Sequence, residues 1–283
     1  HEKGLALFNL KRYADAIDAF DKALLADPGN HDAIYHQAVS YAALGRYTEA
    51  VESYHHLLTL TPEDATAWYE LGEGLSKLER HDDAIQALDK AIRLRPDYFD
   101  ALYLRARSFD RLDAPKESIE AYNQSLAIQP LHVPSLHFKG AALVKLGKFQ
   151  DAIKVFDRAL EIDPSYVDAL YDKGRTLASL GMYREAVKTF DKVLGTGQDS
   201  AGVYYEKGLA LASLGRHDEA VSAFNRSLEL EAGNWQAAYH RGLSLSETGK
   251  HPEAIEAFDQ VIRLHPESID AWLHRGKALA HLG

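Results

Sequence analysis

Six prolines, Pro28, Pro62, Pro96, Pro130, Pro164 and Pro266, stand on one grid of 34 residues. A fixed period of that length confines the chain to a repeat architecture: one unit is too short to bury a core alone and must stack on its copies. Two grid points carry Gln198 and Ala232 instead, each after an apolar stretch of helical spacing. With proline at repeat position 32, full repeats run 31–64, 65–98, 99–132, 133–166, 167–200, 201–234 and 235–268. Residues 1–30 form a partial repeat and residues 269–283 the first helix of another. No insertion or deletion breaks the grid, so residues 1–283 read as a single array without a linker or second domain. The chain opens at His1 without Met, in mid-helix, and stops at Gly283 with no polar capping helix, so it is expected to be part of a longer protein.

The other columns state why the period exists. Position 8 holds only Gly or Ala, as in Gly4, Ala38, Gly72, Ala106, Gly174 and Gly208. Position 20 holds Ala or Ser, as in Ala16, Ala50, Ala84 and Ser118. Helices that cross closely need such small residues, since a larger side chain separates the backbones. Position 24 supplies the large residue beside them: Phe20, Tyr54, Leu88, Tyr122, Phe156, Phe190, Phe224 and Phe258. Within 65–98, Trp68, Leu71, Leu75 and Leu78 recur at helical spacing, then Ala84, Ile85, Leu88, Ala91 and Ile92 form a second stripe. The break between the stripes is elsewhere Leu-Gly, as in Leu44-Gly45, where glycine suits a left-handed helix C-cap. Each repeat is therefore a pair of antiparallel helices.

These columns resemble the tetratricopeptide repeat family, and the resemblance spans the chain; Leu170-Tyr171-Asp172-Lys173-Gly174 is similar to the near-consensus arrays common in prokaryotes. It implies an all-α fold, an α-solenoid wound as a right-handed superhelix, with the first helices lining a concave side. It specifies function far less, because the defining columns are packing columns. Two departures mark soft places. Leu194 to Gly202 carries three glycines and no proline, so the second helix there is expected to end early, and this junction is a hinge candidate. Asp113-Ala114-Pro115 replaces the usual Gly-x-aromatic turn.

Composition excludes several functions. The formal net charge of −10 argues against nucleic acid or an acidic membrane as the main partner, since both need clustered Lys and Arg. There is no cysteine, which removes disulfides, thiolate metal sites and a Cys nucleophile, and fits a reducing cytoplasm. No apolar run approaches the roughly 18 residues of a membrane helix. Gly140–Lys148 and Gly242–Lys250 have the wrong spacing for a phosphate loop, and their glycines belong to repeat columns. The 14 histidines show no His-Glu-x-x-His pattern, and His81, His217 and His251 replace aromatics at position 17. No cofactor, metal or catalytic residue is expected. Asn123-Gln124-Ser125 and Asn225-Arg226-Ser227 match a glycosylation sequon, yet both lie in mid-helix at one repeat position.

A ligand site is sought among the first-helix positions that the resemblance turns toward the groove. Position 5 is an aromatic ladder of Tyr35, Tyr69, Tyr103, His137, Tyr171, Tyr205 and Tyr239, which offers either contact area to a peptide or packing against the next repeat. Apolar groove positions flank a charged middle of Glu73, Arg107, Asp110, Arg111 and Arg175. The arginines either grip a partner's carboxylates or pair with Asp110 and Asp172. At position 7, Arg105, Lys139, Lys173, Lys207, Arg241 and Arg275 form a basic stripe, expected to pair with nearby carboxylates. Neither the carboxylate-clamp residue set nor the asparagine ladder of known family members is present. The reading is a scaffold that binds a peptide or protein in its groove, with a docking or regulatory arm of an enzyme as the alternative. Weak end-to-end self-association through Trp272, Leu279 and Leu282 is also expected.

Overall fold

The computed structural model describes residues 1–283 and contains helices and turns only. The chain divides into two compact units, residues 1–146 and 147–283. The first holds α1 (Glu2–Asn9), α2 (Tyr13–Ala26), α3 (His31–Ala43), α4 (Tyr47–Leu60), α5 (Ala65–Lys77), α6 (His81–Leu94), α7 (Phe99–Arg111), α8 (Pro115–Ile128) and α9 (Val133–Lys145). The second holds α10 (Phe149–Ile162), α11 (Val167–Ser179), α12 (Tyr183–Gly195), α13 (Ala201–Ser213), α14 (His217–Leu230), α15 (Trp235–Glu247), α16 (His251–Leu264) and α17 (Ile269–Ala280). Within each unit successive helices pack on one another, giving an all-α solenoid of helix pairs. The even sequence pattern predicts one array; tertiary contacts group it into these two units.

The cores form as the columns require. Every position-24 side chain from Phe20 to Phe258 is buried, as is every position-20 Ala or Ser. A Cβ added at Gly208 would lie 2.5 Å from the Phe224 ring, and at Gly72 2.7 Å from Leu88 Cγ, so the ring or branched chain rests directly on the helix backbone.

Helix ends are equally local. Asn30 and Asn234 accept N-cap bonds from Ala33 and Ala237, each at 3.0 Å, and Asp64 caps Thr66 and Ala67 at 2.9 and 3.1 Å. Gly45, Gly181 and Gly215 end first helices at φ near 74°. Lys11, Glu79 and Asp113 hold the same left-handed place without being glycine, at φ 59°, 59° and 53°. The Asp113 departure is thus one of sequence only: Ala114 N–H still reaches the Phe109 carbonyl at 3.0 Å, as Arg46 reaches Tyr41 at 2.9 Å. Pro115 then starts α8, where its missing N–H costs nothing. Glu79→Gly is expected to stabilise the first unit by about 1 kcal/mol, because a Cβ is disfavoured in this conformation. Urea unfolding checks it, and an unchanged or lowered midpoint contradicts it.

The glycine-rich junction behaves as its composition predicts at the helix end: α12 has 13 residues where α10, α14 and α16 have 14. The following segment is nevertheless tied down. Asp199 accepts from Arg226 at 2.5 Å and from Tyr204 Oη at 2.9 Å.

The basic stripe at position 7 is an inter-repeat latch. Arg105 meets Asp89 at 2.7 Å, Lys207 meets Asp191 at 2.6 Å, Arg275 meets Asp259 at 2.5 Å, and Lys173 bonds Asp157. Each carboxylate belongs to the second helix of the preceding repeat. Arg241 uses Asn225 there, at 3.1 Å, which gives that sequon asparagine a packing role.

Candidate functional site

In the first unit, the first-helix face of α5 and α7 gathers the largest group of groove candidates. Tyr103 is half-buried; it stacks parallel to Phe99 at 6.1 Å, meets His132 edge-on at 5.0 Å, and lies 6.3 Å from Tyr122. Arg107 follows one turn later. Its Nη1 donates to Tyr103 Oη at 3.2 Å, and its guanidinium lies 4.1 Å from the centre of the Phe138 ring. Those contacts hold the cation in place without neutralising it, and Arg107 forms no ion pair with a carboxylate. Arg111 is exposed and likewise unpaired. Glu73, on α5, closes the opposite side. Glu73, Ser76, Tyr103, Leu104, Arg107 and Arg111 line one open cavity of about 340 Å³. A larger cavity of about 610 Å³ lies beside α1 and α2, but its Arg12 is already paired with Asp15 at 2.7 Å.

Tyr69 packs on Tyr98 at 5.0 Å, and burial with the nearby Glu73 charge pushes its hydroxyl pKa up. Next to it, Glu70 receives the Tyr54 hydroxyl at 3.5 Å. Burial, then the like charge of Glu73, raises the Glu70 carboxyl above the usual range, the Tyr54 bond opposing both. Tyr35 is half-buried, 6.4 Å from Tyr54, and its pKa is raised by burial and then by Glu70.

Two candidates of this unit are corrected. Asp110 is not a groove charge: its carboxylate accepts from Tyr122 Oη at 2.5 Å and from Ser118 Oγ, both on α8. It staples α7 to α8, and it does not pair with Arg107. His137 has only 6 % exposure, so its ring has no area to offer a ligand.

In the second unit, Tyr171, Tyr205 and Tyr239 are half-buried and lie 6.3, 6.1 and 6.0 Å from Phe190, Phe224 and Phe258. One side of each ring packs on its own repeat, Tyr205 and Tyr239 also meet His240 and His274 of the next repeat at 6.0 and 5.9 Å, and the rest of each ring stays accessible. Arg175 Nε meets Glu206 Oε1 at 3.4 Å, where the sequence offered Asp172. Burial raises the Glu206 pKa and Arg175 lowers it. Glu70, Phe138 and Glu206 all occupy position 6. Their role follows from setting position 9 of one repeat against position 6 of the next, a comparison that single columns do not make.

Comparisons with known proteins agree with the helix-pair fold. Profiles described as tetratricopeptide repeat match residues 69–132 and 239–283, 143–207, and 201–234. A profile described as anaphase-promoting complex, cyclosome, subunit 3 matches residues 9–91. The crystal structure of MamA is 30% identical, with 57% of this chain and 88% of MamA covered and a TM-score of 0.56. A tetratricopeptide repeat protein from Parabacteroides merdae covers 88% of this chain and 98% of its own at 15% identity, TM-score 0.63. The APC/C hetero-tetramer Cut9–Hcn1 covers 98% of this chain and 54% of its own at 20% identity, TM-score 0.57. The last two bear on fold alone. No curated protein sequence matches the chain. No helix is long and apolar enough to cross a membrane.

Proposed function

We propose that this chain, which belongs to the tetratricopeptide repeat family, is a non-catalytic scaffold that holds a peptide or protein segment against the first helices α5 and α7. The family serves generally as a protein-interaction scaffold, and the finer placement rests on one observation: Arg107 is fixed by Phe138 and Tyr103 beside a 340 Å³ cavity, with no carboxylate of its own. An ordered cation left unneutralised on an accessible face is prepared for an external anion, and ordering it in advance reduces the entropy cost of binding. Tyr69 and Tyr103 add contact area at small rotamer cost. The test is selection from a displayed library of random dodecamers, followed by affinity measurement on wild type and Tyr103→Ala. Enriched peptides are expected to bind Tyr103→Ala at least tenfold more weakly, about 1.4 kcal/mol. Equal affinity for both proteins overturns the placement.

A further inference from the structure

We propose that the partner segment carries both charges: a basic side chain seated at Glu70 and Glu73, and an acidic one against Arg107 and Arg111, two or three residues away. This deepens the groove reading above and rests on it.

The repeat register supplies the argument. Position 9 of one repeat faces position 6 of the next, and in the one place where an acid and a base meet there, Arg175 and Glu206, they compensate at 3.4 Å. Arg46, Arg80 and Arg216 pair at helix starts with Glu49 at 2.8 Å, Asp83 at 2.7 Å and Glu219 at 2.6 Å, whereas Arg93, Arg184 and Arg263 pair with no carboxylate but are exposed, unlike the half-buried Arg107. The compensation fails on α5 and α7. Glu70 has Val39 at the position where Glu206 has Arg175, and no cation pairs with Glu70 or Glu73. Arg107 has Phe138 at the position where Arg175 has Glu206.

Uncompensated charges of both signs thus lie on neighbouring first helices, and Glu73 shares one cavity with Arg107 and Arg111; Lys77 and Glu79, both exposed and at the end of α5, line the same cavity and add no net charge to it. Tyr69 and Tyr98, rings 5.0 Å apart, lie beside the acidic side; Arg95 already stands 4.2 Å over the Tyr98 ring, which leaves Tyr69 as the aromatic face for a partner's cation. Half-buried like charges at Glu70 and Glu73 cost free energy that an incoming ammonium or guanidinium relieves, which agrees with the raised Glu70 pKa. Packed helices lie about 8–10 Å apart. An extended chain advances about 3.3–3.6 Å per residue. The two charges of an extended partner therefore fall two or three residues apart. A uniformly acidic segment would satisfy Arg107 but place a like charge on Glu73.

The test uses the dodecamers selected on the wild-type chain. They are expected to share one Lys or Arg and one Asp or Glu two or three residues apart. Changing the peptide's acid to Lys should weaken binding at least tenfold, and Arg107→Glu with Arg111→Glu should restore it. Changing the peptide's base to Glu should weaken binding similarly, and Glu73→Lys should restore it. Uniformly acidic dodecamers, or swaps that restore nothing, overturn the two-charge inference; if Tyr103→Ala still weakens those peptides, the groove reading stands. Peptides indifferent to Tyr103→Ala, or no enrichment at all, overturn both.

Discussion

Phe224→Ala is expected to destabilise the second unit by about 3–5 kcal/mol, the range for truncating a buried aromatic. Phe224 is wholly buried, lies against the Gly208 backbone, and stacks on His240 at 6.0 Å, so three successive helices lose contact with one ring. Collapse into the space is limited because the buried residues beside it on α13 and α14, Gly208 and Ala220, are already the smallest available. In a stack where each repeat meets only its neighbours, the loss stays local. Amide exchange should rise across α13 to α15 and remain near wild type in α2 to α6. Leu230→Ala, at a position 41% exposed, is the control and should shift the urea midpoint little. A Phe224→Ala loss under about 1 kcal/mol would contradict the packing account.

Asp110→Ala is expected to cost the first unit about 2–4 kcal/mol, by leaving two buried hydroxyls without their acceptor. Tyr122 is wholly buried and meets Asp110 Oδ2 at 2.5 Å; Ser118, also wholly buried, bonds the other oxygen. Burial, then the Asp110 charge, raises the Tyr122 pKa, so the hydroxyl stays protonated as donor. The double variant Asp110→Ala/Tyr122→Phe should be less destabilised than the two single losses summed, since one stranded hydroxyl is gone. Additive losses would show that the staple carries no coupling. A groove charge, by contrast, would affect binding and leave the urea midpoint in place.

That contrast marks what the sequence could and could not tell. The helix pairs, the small-on-large core and the left-handed turns were legible because close packing admits so few residues at positions 8, 20 and 24. Asp110 was misread because position 12 is a groove position by family geometry, while its use depends on the hydroxyl that Tyr122 brings and phenylalanine does not. Position 12 is Ala178, Ala212 and Ser246 in the repeats of Phe190, Phe224 and Phe258. His137 was misread for the converse reason: its column is half-exposed elsewhere, and only tertiary packing buries this member. The Arg175–Glu206 pair and the unpaired state of Arg107 are properties of two repeats together, so no single column displays them.

Amide hydrogen exchange on the chain with and without a selected dodecamer tests the central claim most directly. Binding should slow exchange in α5 and α7, residues 65–77 and 99–111, and leave the second helices α6 and α8 at their unbound rates. Protection confined to α6 and α8, or to the second unit, would contradict it.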